Sequence, residues 1–159
     1  MKDFIVEKQD SFFVIGIDDR TTNKAEFEGK GIIPGLWQKF MSESVLSAIP
    51  NKIDNDIIVC YYDYESDNTG EYSYLIGARV STLEEIPEGM SGLCVPPVCY
   101  AVFTTDQGNL IQENIKTWQH IWKLEENGTL TRSYYIDYEV WDDRSHDQNN
   151  GQIEIHIGI

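Results

Sequence analysis

The acidic side chains best placed to do chemistry, Asp137 and Glu139, lie in the middle of residues 134–142 (YYIDYEVWD). β-Branched and aromatic residues dominate this run and no Gly or Pro interrupts it, which is typical of a β-strand. Side chains alternate between the two faces of a strand, so both carboxylates share a face with Tyr135 and Trp141. A carboxylate among large aromatic side chains in mid-strand indicates a polar group inside an aromatic pocket. We therefore expect Glu139 to anchor such a pocket.

The charge balance limits the kinds of molecule that the surface of the protein can bind. The chain has 159 residues, and its 27 acidic and 12 basic side chains give a net charge of −15. Such a surface repels nucleic-acid phosphates and anionic membranes and attracts cations. We therefore expect no direct nucleic-acid binding and no membrane association. The same charge would also arise in a protein that only has to stay soluble, and composition leaves that alternative open.

The cysteines and the first residues of the chain indicate a compartment. Cys60, Cys94 and Cys99 are odd in number and lack C-x-x-C spacing, and Cys60 and Cys99 fall in strand-like runs. Buried free thiols in a reducing compartment are the expected result. The chain starts MKDF, which is no signal peptide, and it contains no apolar run of membrane-spanning length. These features predict a cytoplasmic protein.

Hydrophobic periodicity predicts two copies of the order strand-strand-helix-strand-strand. The expected strands cover residues 4–8, 12–18, 57–64, 71–81, 92–95, 98–104, 134–142 and 152–159. The expected helices run from Ile33 to about Ser44 and from Leu110 to about Lys123, the first with Pro34 in its first turn, where a missing N–H costs little. The polar residues 19–30 are predicted to form a loop.

Two of these elements have a regular apolar pattern. The apolar stripe of the second helix consists of Ile111, Ile115, Trp118 and Trp122. In the last strand, the alternating isoleucines of residues 153–159 are expected to point inwards and His156 outwards.

The two copies resemble each other in composition as well as in order. Each helix carries a tryptophan on its apolar face, Trp37 or Trp118, and each is followed by an Asp-Tyr-Glu sequence, at residues 63–65 and 137–139. This predicts an internal duplication with pseudo-twofold symmetry. One half has too few elements to bury its helix alone, so the halves should pack together. The expected fold is a single α+β domain with a mainly antiparallel sheet, two main helices and a groove between the halves, where ligands often bind. The domain spans residues 1–159, with halves at about 1–83 and 90–159.

The order of these motifs resembles the GyrI-like small-molecule-binding domain, which is also the effector-binding module of AraC-type and MerR-type multidrug regulators. The resemblance extends over nearly the whole chain, and no single motif in it is specific. The segments that carry it are residues 33–37 (IPGLW), 70–78 (GEYSYLIGA), 95–103 (VPPVCYAVF) and 137–142 (DYEVWD), together with Trp118, Trp122 and the Ile-rich end.

This resemblance implies an aromatic-lined pocket between the halves, in which a buried glutamate pairs with lipophilic cations. Glu139 holds the matching place. A carboxylate in an apolar pocket is costly without a partner, and a ligand cation stacked on Tyr or Trp faces would supply one. The chain departs from the regulators because no helix-turn-helix segment precedes Phe4. It is therefore expected to be a standalone member, either a transcription regulator's effector domain without its DNA reader or a protein that sequesters drugs or toxins.

The candidate ligand-binding residues combine Glu139 with aromatic side chains on the predicted helices and strands. They are Glu139, Trp37, Trp141, Tyr62, Tyr72, Tyr100, Phe103, Trp118 and Trp122. Each has a structural alternative. Glu139 could face solvent or pair with Arg132 or Arg144, and the tryptophans could belong to an ordinary core. Glu65, in the first Asp-Tyr-Glu sequence, borders a turn and is expected to be exposed.

Three functions follow from these residues. The first is capture of lipophilic, cationic aromatic compounds. The second is catalysis with Glu139 as the base that activates water, as the family resemblance implies for hydrolases of cyclopropane-bearing genotoxins. The third is an acidic interaction protein for a partner such as gyrase or a DNA-binding regulator. No cofactor motif is present and the acidic loop around His146 lacks metal-ligand spacing, so we expect neither a cofactor nor a metal.

Overall fold

A single antiparallel sheet carries all the strands of the computed structural model, which describes residues 4–159. The strands are β1 (Ile5–Lys8), β2 (Phe12–Thr21), β3 (Ile57–Tyr62), β4 (Tyr72–Val80), β5 (Ser91–Val95), β6 (Cys99–Thr104), β7 (Ile136–Trp141) and β8 (Glu154–Gly158). The helices are α1 (Asn23–Phe27), α2 (Ile33–Ser42), α3 (Val45–Ala48) and α4 (Leu110–Glu126), with a 3-10 turn at Asp143–Ser145. Among the helices of residues 4–159, none combines the length and hydropathy needed to cross a bilayer.

The strand order shows the pseudo-twofold symmetry directly. The order is β1-β6-β8-β7-β3-β4-β2-β5, with β3 and β7 paired at the centre. Reading outwards from the centre gives the third, fourth and second strand of each half, and then the first strand of the other half. The first strand of each half therefore pairs with a strand of the other half, so neither half completes its part of the sheet alone. The predicted α+β class, the duplication and the two main helices are confirmed.

The helices cover one face of this sheet, and the site lies on that face. Under α2 the core includes Phe40 with inward-facing residues of β2, β3 and β4, and under α4 it includes Ile121 with residues of β6 and β8. The opposite face is also buried. The rings of Phe12 and Tyr138 lie 5.1 Å apart although β2 and β7 are not neighbours, so the sheet curls over on this side.

The segment between the second strand and the first long helix differs from the predicted loop at residues 19–30. β2 continues to Thr21, and the short helix α1 follows. Its start is explained by Thr22, whose hydroxyl accepts a hydrogen bond from the Ala25 N–H at 3.0 Å. Asn23 then holds α1 to the β3–β4 turn by donating to the Asn68 carbonyl at 2.9 Å.

Two predicted strands are shorter than expected because the backbone turns at their ends. Asp63 has a φ of 51° and Tyr134 a φ of 55°, in the left-handed region that an extended strand cannot contain. The Asp-Tyr-Glu sequence at 63–65 therefore lies outside β3, while Asp137 and Glu139 lie inside β7. Glu65 is exposed, as predicted.

The predicted apolar stripe of α4 was wrong at its N-terminal end. Ile111 and Ile115 are 57% and 46% exposed. The buried positions of α4 are Leu110, Thr117, Trp118, Ile121 and Leu124. Seven-residue spacing from Leu110 to Thr117 and Leu124 keeps this set on one side of the helix, about one position away from the predicted stripe.

Two further predictions of burial were wrong. Cys99 is exposed because it begins β6, whereas Cys60 in the central strand is buried. His156 does not face solvent. It is buried on the face of the sheet opposite the helices, where its ring stacks on Tyr138 with ring centroids 4.4 Å apart. A carboxylate makes this buried imidazole possible, since Nε2 lies 2.9 Å from Glu154 Oε1.

The Glu154 network predicts a contribution to stability that depends on pH. Its carboxylate accepts hydrogen bonds from His156 and from Arg144 Nη2, the latter at 2.8 Å. The hydrogen bond from His156 lowers the pKa of Glu154 most, and the hydrogen bond from Arg144 lowers it further. Burial acts in the opposite direction, and the resulting pKa is about 2, below the ordinary 4.5. Because the pKa is lower in the folded state, this stabilisation is present above pH 4.5 and is lost as the pH falls towards 2. Urea unfolding of wild type and Glu154→Gln across this range should show the difference between them shrinking as the pH falls. A constant difference would contradict the assignment.

Candidate ligand-binding site

The Glu139 carboxylate lies at the centre of a hydrogen-bond network between β7 and α4, and its side chain is almost fully buried, with 1% of the residue exposed. Its Oε2 accepts from Tyr61 Oη at 2.7 Å, Trp118 Nε1 at 2.8 Å and Asn114 Nδ2 at 3.1 Å. Its Oε1 accepts from Trp141 Nε1 at 2.9 Å. All four donors are neutral, and within residues 4–159 no Lys, Arg or His forms an ion pair with Glu139. The network therefore satisfies the hydrogen bonds of this carboxylate without neutralising its charge.

Elementary geometry explains how the donors converge. Glu139 and Trp141 are two residues apart on β7 and share its helix-facing side. Asn114 and Trp118 are four residues apart on α4 and so project from one side of the helix. Tyr61 comes from β3, which pairs with β7. Val59, two residues before Tyr61 on the same face of β3, lies directly opposite Glu139.

Burial and then the charge of Glu139 raise the pKa of the surrounding phenols. Burial raises the pKa of Tyr61 well above its ordinary value, and the negative charge of Glu139 raises it further. Burial and then Glu139 have the same effect on the pKa of Tyr74. Tyr61 therefore remains a hydrogen-bond donor to the carboxylate throughout the physiological pH range.

An aromatic cavity of about 140 Å³ lies beside this network, between α1, α4 and the strands β3 and β4. Its aromatic lining consists of Phe27, Tyr61, Tyr64, Tyr72, Trp118 and Trp122. Its polar lining consists of Asn23, Glu26, Asn68, Asn114 and Arg132. Glu139 does not itself line the cavity, but three of its four donors do. The carboxylate therefore lies behind Tyr61, Asn114 and Trp118, which separate it from the cavity.

The second carboxylate of β7 is in a different electrostatic situation. Asp137, with none of its surface exposed, accepts from Arg132 Nη2 at 2.7 Å, from the Gly158 N–H at 2.8 Å and from the Tyr64 hydroxyl. The Arg132 guanidinium also lies over Tyr134, with its Cζ 4.2 Å from the ring centroid. Asp137 is therefore neutralised by a buried arginine, and Glu139, on the same face of the same strand, is not.

The candidate residues predicted from the sequence fall into three groups in the structure. Trp118, Trp122 and Tyr72 line the cavity. Trp141 donates to Glu139, and Trp37 packs behind it with the two ring centroids 5.1 Å apart.

The third group does not reach the cavity. Tyr62 points to the opposite face of the sheet, where its hydroxyl donates to Asp18 Oδ2 at 2.6 Å. Tyr100 is buried on that same face, and Phe103 packs under α4 in the core. Arg132 and Arg144, the alternative partners of Glu139, pair with other carboxylates instead.

Sequence reasoning missed eight of the aromatic and polar residues that line the cavity. These are Asn23, Glu26, Phe27, Tyr61, Tyr64, Asn68, Asn114 and Arg132. Two of them left a usable signal. Strand alternation places Tyr61 rather than Tyr62 on the same side as Val59, and Asn114 precedes Trp118 by one helical turn. Across residues 4–159 no group of three or more His, Cys, Asp or Glu side chains is arranged to hold a metal.

Comparison with known proteins places this site in a family. Residues 5–159 match the family described as Cass2, integron-associated effector binding protein. YobU of Bacillus subtilis, described as a candidate transcriptional regulator, is 27% identical over 146 residues, which cover 91% of this chain and 89% of YobU.

Solved structures share the fold. An integron cassette protein from the mobile metagenome of Vibrio cholerae superposes with a TM-score of 0.76 at 25% identity, covering 99% of this chain and 95% of that one. The structure of SAV2435 bound to tetraphenylphosphonium superposes with a TM-score of 0.79 at 18% identity, covering 98% of this chain and 92% of that one. The protein has a small-molecule-binding, effector-binding fold, and the chain belongs to the Cass2 family of integron-associated effector-binding proteins.

Proposed function

We propose that the protein binds lipophilic aromatic cations in the cavity beside Glu139. The observation that carries this proposal is the buried Glu139 carboxylate, which has four neutral donors and no cationic partner among residues 4–159. Burying an uncompensated charge is costly, and a cation in the adjoining cavity reduces that cost. A neutral or anionic ligand of the same shape gains nothing from the charge.

The walls of the cavity suit the apolar part of such a ligand. The faces of Tyr61, Trp118 and Trp122 offer apolar contact, and each cation placed over a ring gains roughly 0.5–2 kcal/mol. SAV2435, a protein of the same fold, was solved with tetraphenylphosphonium, which is itself a lipophilic aromatic cation. The net charge of −15 adds a long-range attraction for cations.

Ligands of this size require a wall of the cavity to move. The cavity of about 140 Å³ is smaller than the roughly 300–1,000 Å³ of pockets that hold drug-sized molecules. The wall with least packing is α1, which has no buried residue. Its Phe27 is 64% exposed and rests against Trp122 with ring centroids 5.7 Å apart. Outward movement of α1 enlarges the cavity but breaks the hydrogen bonds that join Asn23 to Asn68 and to Tyr72.

The cellular role that fits this binding is ligand sensing or sequestration in the cytoplasm. The relationship to YobU supports a link between ligand binding and transcription. Free thiols at Cys60, Cys94 and Cys99 are compatible with a reducing compartment.

Thermal unfolding with tetraphenylphosphonium and tetraphenylborate tests the proposal, because the two ions have the same shape and opposite charge. A ligand at 100 times its Kd stabilises the native state by about 2.7 kcal/mol, which raises Tm by about 5–10 °C for a chain of this size. We expect this shift with the cation and none with the anion. Equal shifts with both ions, or no shift with either, would contradict cation binding at this site.

A further inference from the structure

A second carboxylate, Glu26 of α1, belongs to the lining of the cavity. Like Glu139 it is hydrogen-bonded only by neutral groups, namely the Thr21 hydroxyl and the backbone N–H groups of Ile32 and Ile33. No Lys, Arg or His within residues 4–159 forms an ion pair with it. No cationic side chain therefore offsets its negative charge, which is stabilised by the N–H groups at the start of α2 and by solvent at its partly exposed surface.

The two oxygens of Glu26 are unequally occupied. Oε2 accepts from the Thr21 hydroxyl and from the Ile32 N–H, the latter at 2.8 Å. Oε1 accepts only from the Ile33 N–H, at 3.4 Å, which is beyond the usual length of a good N–H···O bond. Oε1 thus has acceptor capacity that a group in the cavity can use.

The charges around the cavity do not balance. Arg132, the cationic member of its lining, is held by Asp137 at 2.7 Å and so offers nothing to the two glutamates. Both glutamates act on one phenol in the cavity wall. Burial raises the pKa of Tyr72, and the negative charges of Glu26 and Glu139 raise it further. One carboxylate in the lining and one behind it therefore act on the same aromatic cavity, and neither has a cationic side-chain partner among residues 4–159.

We propose that Glu26 is a second anionic anchor, and that the cavity selects ligands that carry two cationic centres separated by an aromatic group. This inference rests on the proposed function, in which Glu139 attracts the first cation. The second cationic centre lies against Glu26 Oε1 at the α1 wall, and the aromatic group lies between, against Tyr72 and Trp118. A monocation uses one carboxylate and leaves the other uncompensated.

Calorimetric titration with a matched pair of small ligands tests this inference. The monocation is benzyltrimethylammonium and the dication is 1,4-bis(trimethylammoniomethyl)benzene, both measured at the same ionic strength. The dication can bind in two equivalent orientations, so a twofold preference is expected on statistical grounds alone. We expect wild type to bind the dication at least about 10-fold more tightly than the monocation.

Glu26→Gln isolates the contribution of the second anchor. Its amide oxygen can take the place of Oε2 and keep the hydrogen bonds from Thr21 and Ile32, so only the 3.4 Å bond from Ile33 is lost. We expect this variant to lose at least about 10-fold in affinity for the dication and less than about threefold for the monocation. Glu28→Gln is the matched control, since it removes the same charge from an exposed position two residues away and should preserve the wild-type ratio.

The outcomes separate this inference from the proposed function. Binding of both ligands with a wild-type ratio near two, or equal losses for both ligands in Glu26→Gln, overturns the second anchor and leaves cation binding intact. Absence of binding by either ligand to wild type overturns both. If Glu26→Gln folds poorly, the wild-type ratio measured at high salt decides the question, because salt screens the long-range attraction of the net charge of −15 for a dication.

Discussion

Replacing Glu139 by glutamine is expected to weaken binding of tetraphenylphosphonium by at least about 30-fold, because in the low-dielectric interior its charge acts on a cation in the cavity across Tyr61, Asn114 and Trp118. Tetraphenylborate should bind the variant as well as wild type or better, since the charge that repels it is gone. Calorimetric titration of both proteins with both ions measures these changes. Opposite effects on two ions of one shape cannot arise from a general distortion of the cavity.

The hydrogen bonds around Glu139 show why the anion is needed as a control. Every neighbour of the carboxylate is a donor, so the amide N–H₂ group of glutamine must face at least one N–H or O–H. The variant loses the bond from Trp141 if the amide nitrogen takes the place of Oε1. Glu65→Gln provides the matched control because it removes the same charge from an exposed position. Equal losses for the two ions in Glu139→Gln, or the same loss in Glu65→Gln, would rule out Glu139 as a charge anchor.

Strand alternation predicted much of what places the site. It assigned Glu139 and Trp141 to one face of β7, as the structure shows. These assignments work because a period of two is fixed by the backbone and needs no knowledge of the neighbouring strands. The duplication was equally visible because both halves repeat the same order of elements.

The partners of the two carboxylates could not be predicted in the same way. Whether Arg132 neutralises Asp137 or Glu139 depends on the path of the chain into β7, where Tyr134 adopts a positive φ, and on no periodic pattern. Tyr61 reaches Glu139 only because β3 and β7 pair at the centre of the sheet, a contact between the two halves that the sequence of either half does not contain. Tyr62 and Tyr100 were assigned to the pocket for their residue type, and pairing places them on the opposite face of the sheet.

The contrast between the two carboxylates of β7 suggests a division of roles. Asp137 forms a buried ion pair with Arg132, which also lies 3.8 Å from Glu125, and the Asp137 carboxylate holds the start of β7 against β8 through the Gly158 N–H. Glu139 accepts hydrogen bonds from neutral donors and has no cationic side-chain partner among residues 4–159. A fold that buries two acidic groups two residues apart compensates one of them within the protein, and we infer that it leaves the other for a ligand.

Arg132→Met is accordingly expected to lower the free energy of unfolding by about 3–5 kcal/mol, the usual cost of leaving one member of a buried ion pair without its partner. The carboxylate of Asp137, fully buried, would keep only the hydrogen bonds from Tyr64 and Gly158. Urea unfolding measures the loss, and an unchanged m-value would show that the denatured state is the same. Arg132→Lys, which retains the charge, should lose clearly less.

The double variant Arg132→Met/Asp137→Asn identifies the cause. Removing the carboxylate together with its partner eliminates the uncompensated charge, so the double variant should be more stable than Arg132→Met alone. The asparagine oxygen can still accept from the Gly158 N–H, which preserves the link between β7 and β8. If the double variant were no more stable than the single one, packing of the Arg132 side chain against Tyr134 and Trp118 would explain the loss better than its charge. A loss below about 1 kcal/mol in Arg132→Met would show that the ion pair contributes little to stability, as is usual for exposed ion pairs.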